Sequence, residues 1–163
     1  MAATYELIAK ATAGSGGVAS FDFQSIASTY TDLLIVIAGR SAASSVQDRI
    51  VVKFNNSSAD YTLRLLGGNG SSAYSYTRSA FGDNHLCYVP GATATSSTFG
   101  SSEVYVPNYA GATYKSISVG SVHETNGSTA YIDALAGLWS QSASINRLTI
   151  SLISAQNFVE NSS

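Results

Sequence analysis

Short runs of apolar and β-branched residues alternate with turn residues along the whole chain. The runs carry Val, Ile, Thr and Tyr, which favour strands over helix interiors. They lie at 5–9, 18–23, 29–38, 49–54, 61–66, 85–89, 99–106, 113–123, 129–139 and 145–154. A turn about every ten residues is typical of sandwiches and barrels. The pattern predicts an all-β fold, an antiparallel and jelly-roll-like β-sandwich of about eight to ten strands.

The strongest local signal is a hairpin around Asn126 and Gly127, because Asn-Gly adopts the positive-φ geometry of a tight turn. It would join strands 114–124 and 129–139. The second strand is apolar on both sides, with one face formed by Ile132, Ala134, Ala136 and Leu138, and the other by Tyr131, Leu135 and Trp139. Such a strand is typically covered on both faces, by its own core and by something else.

Two Gly/Ser-rich stretches, 67–79 and 90–98, predict surface loops. The glycine clusters at 14–17 and 67–70 lack the Lys-Ser/Thr of a phosphate-binding loop and are predicted to be turns.

The low content of charged residues limits which kinds of partner the chain can bind. Charged residues make up 11% of the 163 residues, against about 25% in a typical soluble domain, and the net charge is −2. Eight basic residues are matched by ten acids, which argues against binding nucleic acid by neutralising phosphates. The aromatic content of 10% argues against disorder. Since no linker divides the chain, residues 1–163 are expected to form a single β-sandwich domain.

Cys87 is the only cysteine, which excludes an internal disulfide and a thiolate zinc site. Its strand-like surroundings predict a buried apolar thiol. The N-terminal residues lack the basic and apolar regions of a secretory signal, and the longest apolar run, 33–38, is too short to span a bilayer as a helix. We therefore expect assembly in a reducing cytoplasm and no membrane partner.

No motif indicates catalysis. His85 and His123 have Asp83 and Glu124 nearby, but serine is so frequent that its proximity carries no information, and no Gly-x-Ser-x-Gly elbow is present. No ligand spacing indicates a metal or a cofactor. Both histidines are predicted to be polar residues at strand ends or at an interface. The sequence thus predicts a non-enzymatic protein.

Tyrosines are the stronger candidates for contacts, because an exposed tyrosine can stack on a sugar or anchor a protein interface. Tyr74, Tyr76 and Tyr88 lie in or beside predicted loops. Tyr131 and Trp139, on the strand with two apolar faces, complete the candidate set. The alternative is that each ring covers the edge of its own core.

Low charge also predicts self-association. Solvent-facing positions must be filled largely by Ser, Thr, Ala, Asn and Gly, which are easier to desolvate than carboxylates. We therefore expect a homo-oligomer, packed against copies of itself and a larger scaffold.

Four segments resemble a group of small virion structural proteins of tailed bacteriophages, notably from aquatic and cyanobacterial hosts. They are Thr4-Tyr5-Glu6-Leu7-Ile8-Ala9, Tyr30-Thr31-Asp32-Leu33-Leu34, Val106-Pro107-Asn108-Tyr109-Ala110-Gly111 and Ala136-Gly137-Leu138-Trp139-Ser140. The resemblance runs through most of the chain. Members of the group usually continue into a further short strand, whereas this chain ends at Ser163.

The resemblance implies a β-sandwich on the outer surface of a virion. One role is a capsid decoration (cement) protein, a trimer at local three-fold positions that binds the major capsid protein. The alternatives are a tail or fibre component that contacts host surface glycans, and a free carbohydrate-binding module. Decoration is favoured because the sequence has no fibrous repeat or coiled coil, and because its acidic balance suits an outer surface.

Overall fold

The structure, a computed structural model, describes residues 5–81, 85–127 and 130–163. All regular secondary structure in these ranges is β. The ten strands are β1 (Ser20–Gln24), β2 (Leu33–Gly39), β3 (Gln47–Phe54), β4 (Tyr61–Gly68), β5 (Ala73–Phe81), β6 (His85–Pro90), β7 (Gly100–Val106), β8 (Lys115–His123), β9 (Tyr131–Trp139) and β10 (Arg147–Leu152).

The strands form two antiparallel sheets. The four-stranded sheet has the order β1-β10-β3-β6, and the six-stranded sheet has the order β2-β7-β8-β9-β4-β5. The sheets enclose one apolar core, and β6 packs across it against β7 and β8. The predicted all-β, antiparallel β-sandwich is confirmed, while its jelly-roll-like connectivity stays a prediction. No helix in the described ranges is long and apolar enough to cross a membrane.

The core follows from strict alternation along the strands, as in β2, where Leu33, Ile35 and Ile37 point inward. At one end of the sandwich the rings of Tyr61 and Trp139 stack with centroids 6.1 Å apart. The Tyr61 hydroxyl accepts a hydrogen bond from a backbone N–H at 2.9 Å, which satisfies the buried phenol. Burial raises the pKa of Tyr61 to about 12.

The predicted loop at 67–79 is wrong, because this segment completes β4 and forms most of β5. The two strands pair in register from Leu63 to Gly68, and the turn between them is short. Asn69 closes that turn by accepting backbone N–H bonds at 3.0 and 2.9 Å with its side-chain oxygen. The Gly/Ser content is typical of a loop, but the segment contains a strand whose alternate residues, Tyr74 and Tyr76, face inward. The predicted loop at 90–98 is confirmed for residues 91–98, since only Pro90 belongs to a strand.

The predicted strand at 5–9 is not formed. Residues 5–12, called here the arm, run extended beside the sandwich, and their backbone makes no hydrogen bond to the backbone of another described residue. Backbone pairing begins at Ala13, which bonds to Asn161 and Ser162. The strand-like sequence of the arm therefore pairs with no strand of residues 5–81, 85–127 or 130–163.

The hairpin prediction is supported by β8 and β9, which pair along their whole length from Lys115↔Trp139 to His123↔Tyr131. Asn126 has a φ of 50°, as an Asn-Gly turn requires. Residues 128 and 129 of the predicted connection lie outside the described residues.

Candidate functional site

The solvent side of the six-stranded sheet, called here the outer face, is poor in charge. Every second residue of its strands points away from the core. The large apolar side chains exposed on it are Val36, Leu66, Tyr105, Val122 and Ile132. Among the described outward positions, only Arg64 and Glu103 carry a charge. The outward side of β9, for which the sequence predicts a second cover, is open to solvent in the single chain.

The solvent side of the four-stranded sheet has the opposite character. Asp22 accepts two hydrogen bonds from the guanidinium of Arg147, both at 2.8 Å, and a third from Thr149 at 3.1 Å. The Arg147 hydrogen bonds lower the pKa of Asp22 to about 2. Lys53 lies beside Thr149 on the same side. This is a polar surface with an ion pair, so the outer face is the stronger candidate for a protein contact.

Four of the five predicted contact residues lie together where β5 and β6 close the sandwich. Tyr74, Tyr76, Tyr88 and Tyr131, called here the tyrosine cluster, are all half-buried. The hydroxyls of Tyr76 and Tyr88 are 2.9 Å apart. The ring of Tyr131 lies edge-on to Tyr74 with centroids 6.4 Å apart. These side chains cover the buried polar residues Asp133 and His123, and part of each ring is exposed to solvent.

Trp139, the fifth candidate, lies elsewhere. It is 2% exposed and packs against Phe54 and Tyr61 at the other end of β9. Its position has the same inward parity as Leu135, so its large ring fills the core. Trp139 therefore offers no surface to a glycan or a neighbouring protein in this structure.

Both histidines lie at strand ends, as predicted: His85 begins β6 and His123 ends β8. His123 is fully buried between the rings of Tyr88 and Tyr131, with centroid distances of 6.2 and 4.8 Å. Its Nε2 is 3.1 Å from the side-chain oxygen of Gln47, which assigns the proton of the neutral ring to Nε2. Burial lowers the pKa of His123 to about 4, so the ring is neutral at pH 7.

Asp133 is a buried acid that the sequence analysis did not single out. It points inward from β9, and its Oδ1 accepts a hydrogen bond from the Tyr74 hydroxyl at 2.7 Å. Burial raises its pKa. Gly67 leaves room for this contact, because a Cβ there would lie 2.2 Å from Asp133 Oδ1. The available signal was an acid between the inward positions Tyr131 and Leu135 of an otherwise apolar strand.

These buried polar groups do not assemble into a recognisable metal site. Within residues 5–81, 85–127 and 130–163, no group of three or more His, Cys, Asp or Glu side chains is placed to hold an ion. Cys87 is fully buried, as predicted, and burial raises its thiol pKa to about 12. A thiol with that pKa is protonated at neutral pH and is a poor nucleophile.

A cavity of about 770 Å³ opens on the opposite side of the sandwich, between the edge strands β1 and β2. Its floor is apolar and includes Phe21, Phe23, Ile26, Leu33, Leu148 and Ile150. The arm lies over it, and the neighbouring Glu6 raises the pKa of the Tyr30 hydroxyl. Tyr5 and Leu7 on the arm nevertheless remain 70% and 78% exposed. The arm is thus a second apolar surface, and it lies next to the β2 edge of the outer face, because Leu34, Val36 and Tyr105 line the same cavity.

Arg40 fixes the loop at 91–99 and was also missed in the sequence. Its guanidinium is buried beneath the loop and donates to the carbonyls of Ala94, Thr95 and Thr98 at 2.8–3.0 Å. No local sequence signal marks Arg40, because its partners lie more than fifty residues away.

Comparison with protein-family models, curated proteins and solved structures finds no match to this chain.

Proposed function

We propose that the chain is a non-enzymatic structural protein of a tailed-bacteriophage virion, a decoration (cement) protein on the outer surface of the major capsid protein shell. One observation carries the proposal: of the large apolar side chains exposed in the described residues, three lie on the arm and five on the outer face. Concentrated apolar surface usually marks a protein interface. Two such surfaces support a subunit with two kinds of neighbour.

The arm supports attachment to the shell. Its extended backbone is free of partners among the described residues, so it can add as a strand to an exposed sheet edge of another protein. Tyr5 and Leu7 alternate along it and are available as side-chain anchors. The resemblance implies attachment as a trimer at local three-fold positions, where arms from neighbouring copies would clamp adjacent capsid subunits.

Rebinding to stripped capsids tests the proposal. Purified chain is added to expanded capsids that lack it, and bound protein is measured after sedimentation together with the capsid melting temperature. We expect binding and a higher melting temperature, both lost in Leu7→Glu and retained in the matched control Tyr114→Ser, which changes an exposed aromatic residue outside the arm and the outer face. Failure of the wild-type chain to bind, or equal binding by Leu7→Glu, would contradict attachment through the arm.

Copy number per virion tests the location independently. A count in the hundreds indicates the shell, whereas about a dozen copies indicates the tail, because the two sites differ in symmetry. Absence of the polypeptide from particles would exclude both roles.

A tail or fibre component that contacts host glycans is the second candidate, and the convergence of the tyrosine cluster favours it. Half-exposed rings on one side of a sandwich can stack on sugars. In this case Tyr74→Ala and Tyr76→Ala weaken adsorption to host cells or glycans, while Tyr114→Ala, at the other end of β8, has no effect. Unchanged adsorption in all three variants would count against the glycan role.

A further inference from the structure

The registers of the six-stranded sheet define the outer face residue by residue. One row across it passes through the facing positions Val36, Glu103, Gly120, Ala134, Leu66 and Ser75. The next row, two residues further along each strand, consists of Ala38, Ser101, Val122, Ile132, Gly68 and Ala73. The row on the other side consists of Leu34, Tyr105, Ser118, Ala136, Arg64 and Thr77.

Small residues dominate the middle of this grid. Ser118, Gly120, Ala134 and Ala136 line both sides of the seam between β8 and β9. Ile132 and Leu66 stand above them on β9 and β4, each 62% exposed. The small side chains form a shallow groove along the seam, and larger side chains project beside it. This shape allows two such sheets to approach closely.

The two charges on the face lie on strands that are symmetric about the same seam, in adjacent rows. Glu103 is on β7, one strand to one side of the seam pair, and Arg64 is on β4, one strand to the other side. Three strand spacings separate them, about 14 Å, so they do not pair within one chain. Each is an exposed charge on an otherwise uncharged face, and the two have opposite signs.

We propose that the outer face binds the outer face of a second copy of this chain, about a two-fold axis that runs along the β8/β9 seam. Rotation about that axis exchanges β8 with β9 and β7 with β4. Val122 of one copy then faces Ile132 of the other. Glu103 lies over Leu66 of the second copy, about 7 Å along the strand from Arg64, which long side chains can bridge. The Glu103–Arg64 pair therefore occurs twice, once on each side of the axis, as an isologous interface requires.

The area that the dimer would bury indicates how tightly the two copies bind. Six strands span about 24 Å and the outward rows about 20 Å, so two copies bury on the order of 1,000 Å² in total. This is the lower end for specific interfaces, and the small side chains at the seam provide few anchors. The expected dimer is therefore reversible, with its mass depending on protein concentration.

This inference goes beyond the proposed function, because it names a surface and a symmetry of self-association that do not depend on attachment to a shell. A chain that dimerises and fails to bind capsids overturns the decoration role alone. A two-fold pair also differs from the three-fold trimer that the resemblance implies, so the oligomer mass separates the two.

Sedimentation over a range of concentrations tests the proposal with charge exchange. We expect wild type to approach twice the 16.9 kDa chain mass. Glu103→Arg and Arg64→Glu each weaken dimerisation about tenfold or more, because each places like charges across the interface. The double variant Glu103→Arg/Arg64→Glu recovers it. The control Lys53→Glu, on the solvent side of the four-stranded sheet, leaves the dimer unchanged.

A second variant makes the test independent of the ion pair. Ile132→Glu places a charge at the centre of the face on an exposed position, so the fold is retained while the dimer is lost; circular dichroism and the melting temperature verify folding. A wild-type monomer at high concentration, a trimer, a dimer insensitive to Ile132→Glu, or single and double charge variants that behave alike would overturn the proposal.

Discussion

At the scale of single residues, buried polar groups account for the unusual chemistry of this chain. His123, Asp133 and Arg40 are each buried by the fold. Burial lowers the pKa of His123 and raises the pKa of Asp133, because the interior solvates the charged form of each side chain poorly. These two residues therefore couple stability to pH in opposite directions.

His123 predicts a loss of stability in mild acid. Its pKa is about 4 in the folded chain against an ordinary 6.5, so the unfolded chain takes up a proton first as pH falls between these values. The cost reaches about 3 kcal/mol when the pH falls to the folded pKa. Urea unfolding at pH 7 and pH 5 should show wild type losing more stability than His123→Gln. Equal losses would contradict this account.

Asp133 acts in the other direction. Burial raises its pKa, so the folded chain binds this proton more tightly than the unfolded chain, and the residue destabilises the fold as pH rises through that folded pKa. Comparison of wild type with Asp133→Asn across the same range isolates the effect. As the pH rises across this range, the free energy of unfolding of Asp133→Asn should fall less than that of wild type.

Replacing Arg40 is expected to lower the free energy of unfolding, because this one side chain holds the loop at 91–99. Replacing it by Met removes the donor that holds the carbonyls of Ala94, Thr95 and Thr98 and costs about 1–3 kcal/mol. Thermal unfolding and limited proteolysis within the loop measure the loss. Arg147→Met is the matched control, because its ion pair with Asp22 lies at the surface and salt bridges there contribute little.

At the scale of elements, the β4–β5 hairpin depends on a close approach at one glycine. A Cβ on Gly67 would meet Asp133 Oδ1 at 2.2 Å and the ring of Tyr74 at 2.6 Å. Gly67→Ala therefore costs about 1–3 kcal/mol through overpacking. Gly120→Ala, where nothing lies within 4 Å of the added Cβ, should leave chemical unfolding unchanged or slightly improved. Equal effects of the two substitutions would contradict this explanation.

The same hairpin shows what sequence pattern can and cannot predict. Strands such as β2 and β8 were predictable, because local alternation alone determines which side is buried. β5 was not, because its stability comes from pairing with β4 and from tyrosines that pack on buried polar groups contributed by distant strands. The prediction for the arm was wrong in the opposite sense: its residues favour a strand, but its backbone pairs with neither of the neighbouring edge strands β1 and β2. The tyrosine cluster was foreseeable as a set of residues, but not as a cluster.

At the scale of the whole molecule, the sandwich determines the stability of the fold, and the arm and the outer face are the surfaces proposed to bind neighbours. Strand pairing and the core hold the sandwich, while the arm contributes no backbone hydrogen bond to the described chain. Deleting residues 1–9 should therefore change the melting temperature little and abolish binding to stripped capsids. Unfolding of the truncated chain would show that the arm is instead part of the fold.

Cys87 has a practical consequence for such work. It is the single thiol of the sequence, and it is fully buried with a strongly raised pKa. Maleimide reagents should therefore leave the native chain unmodified. A cysteine introduced at an exposed site becomes the sole point of fluorescent labelling, so that molecules on individual particles can be counted by stepwise photobleaching without first removing a native thiol.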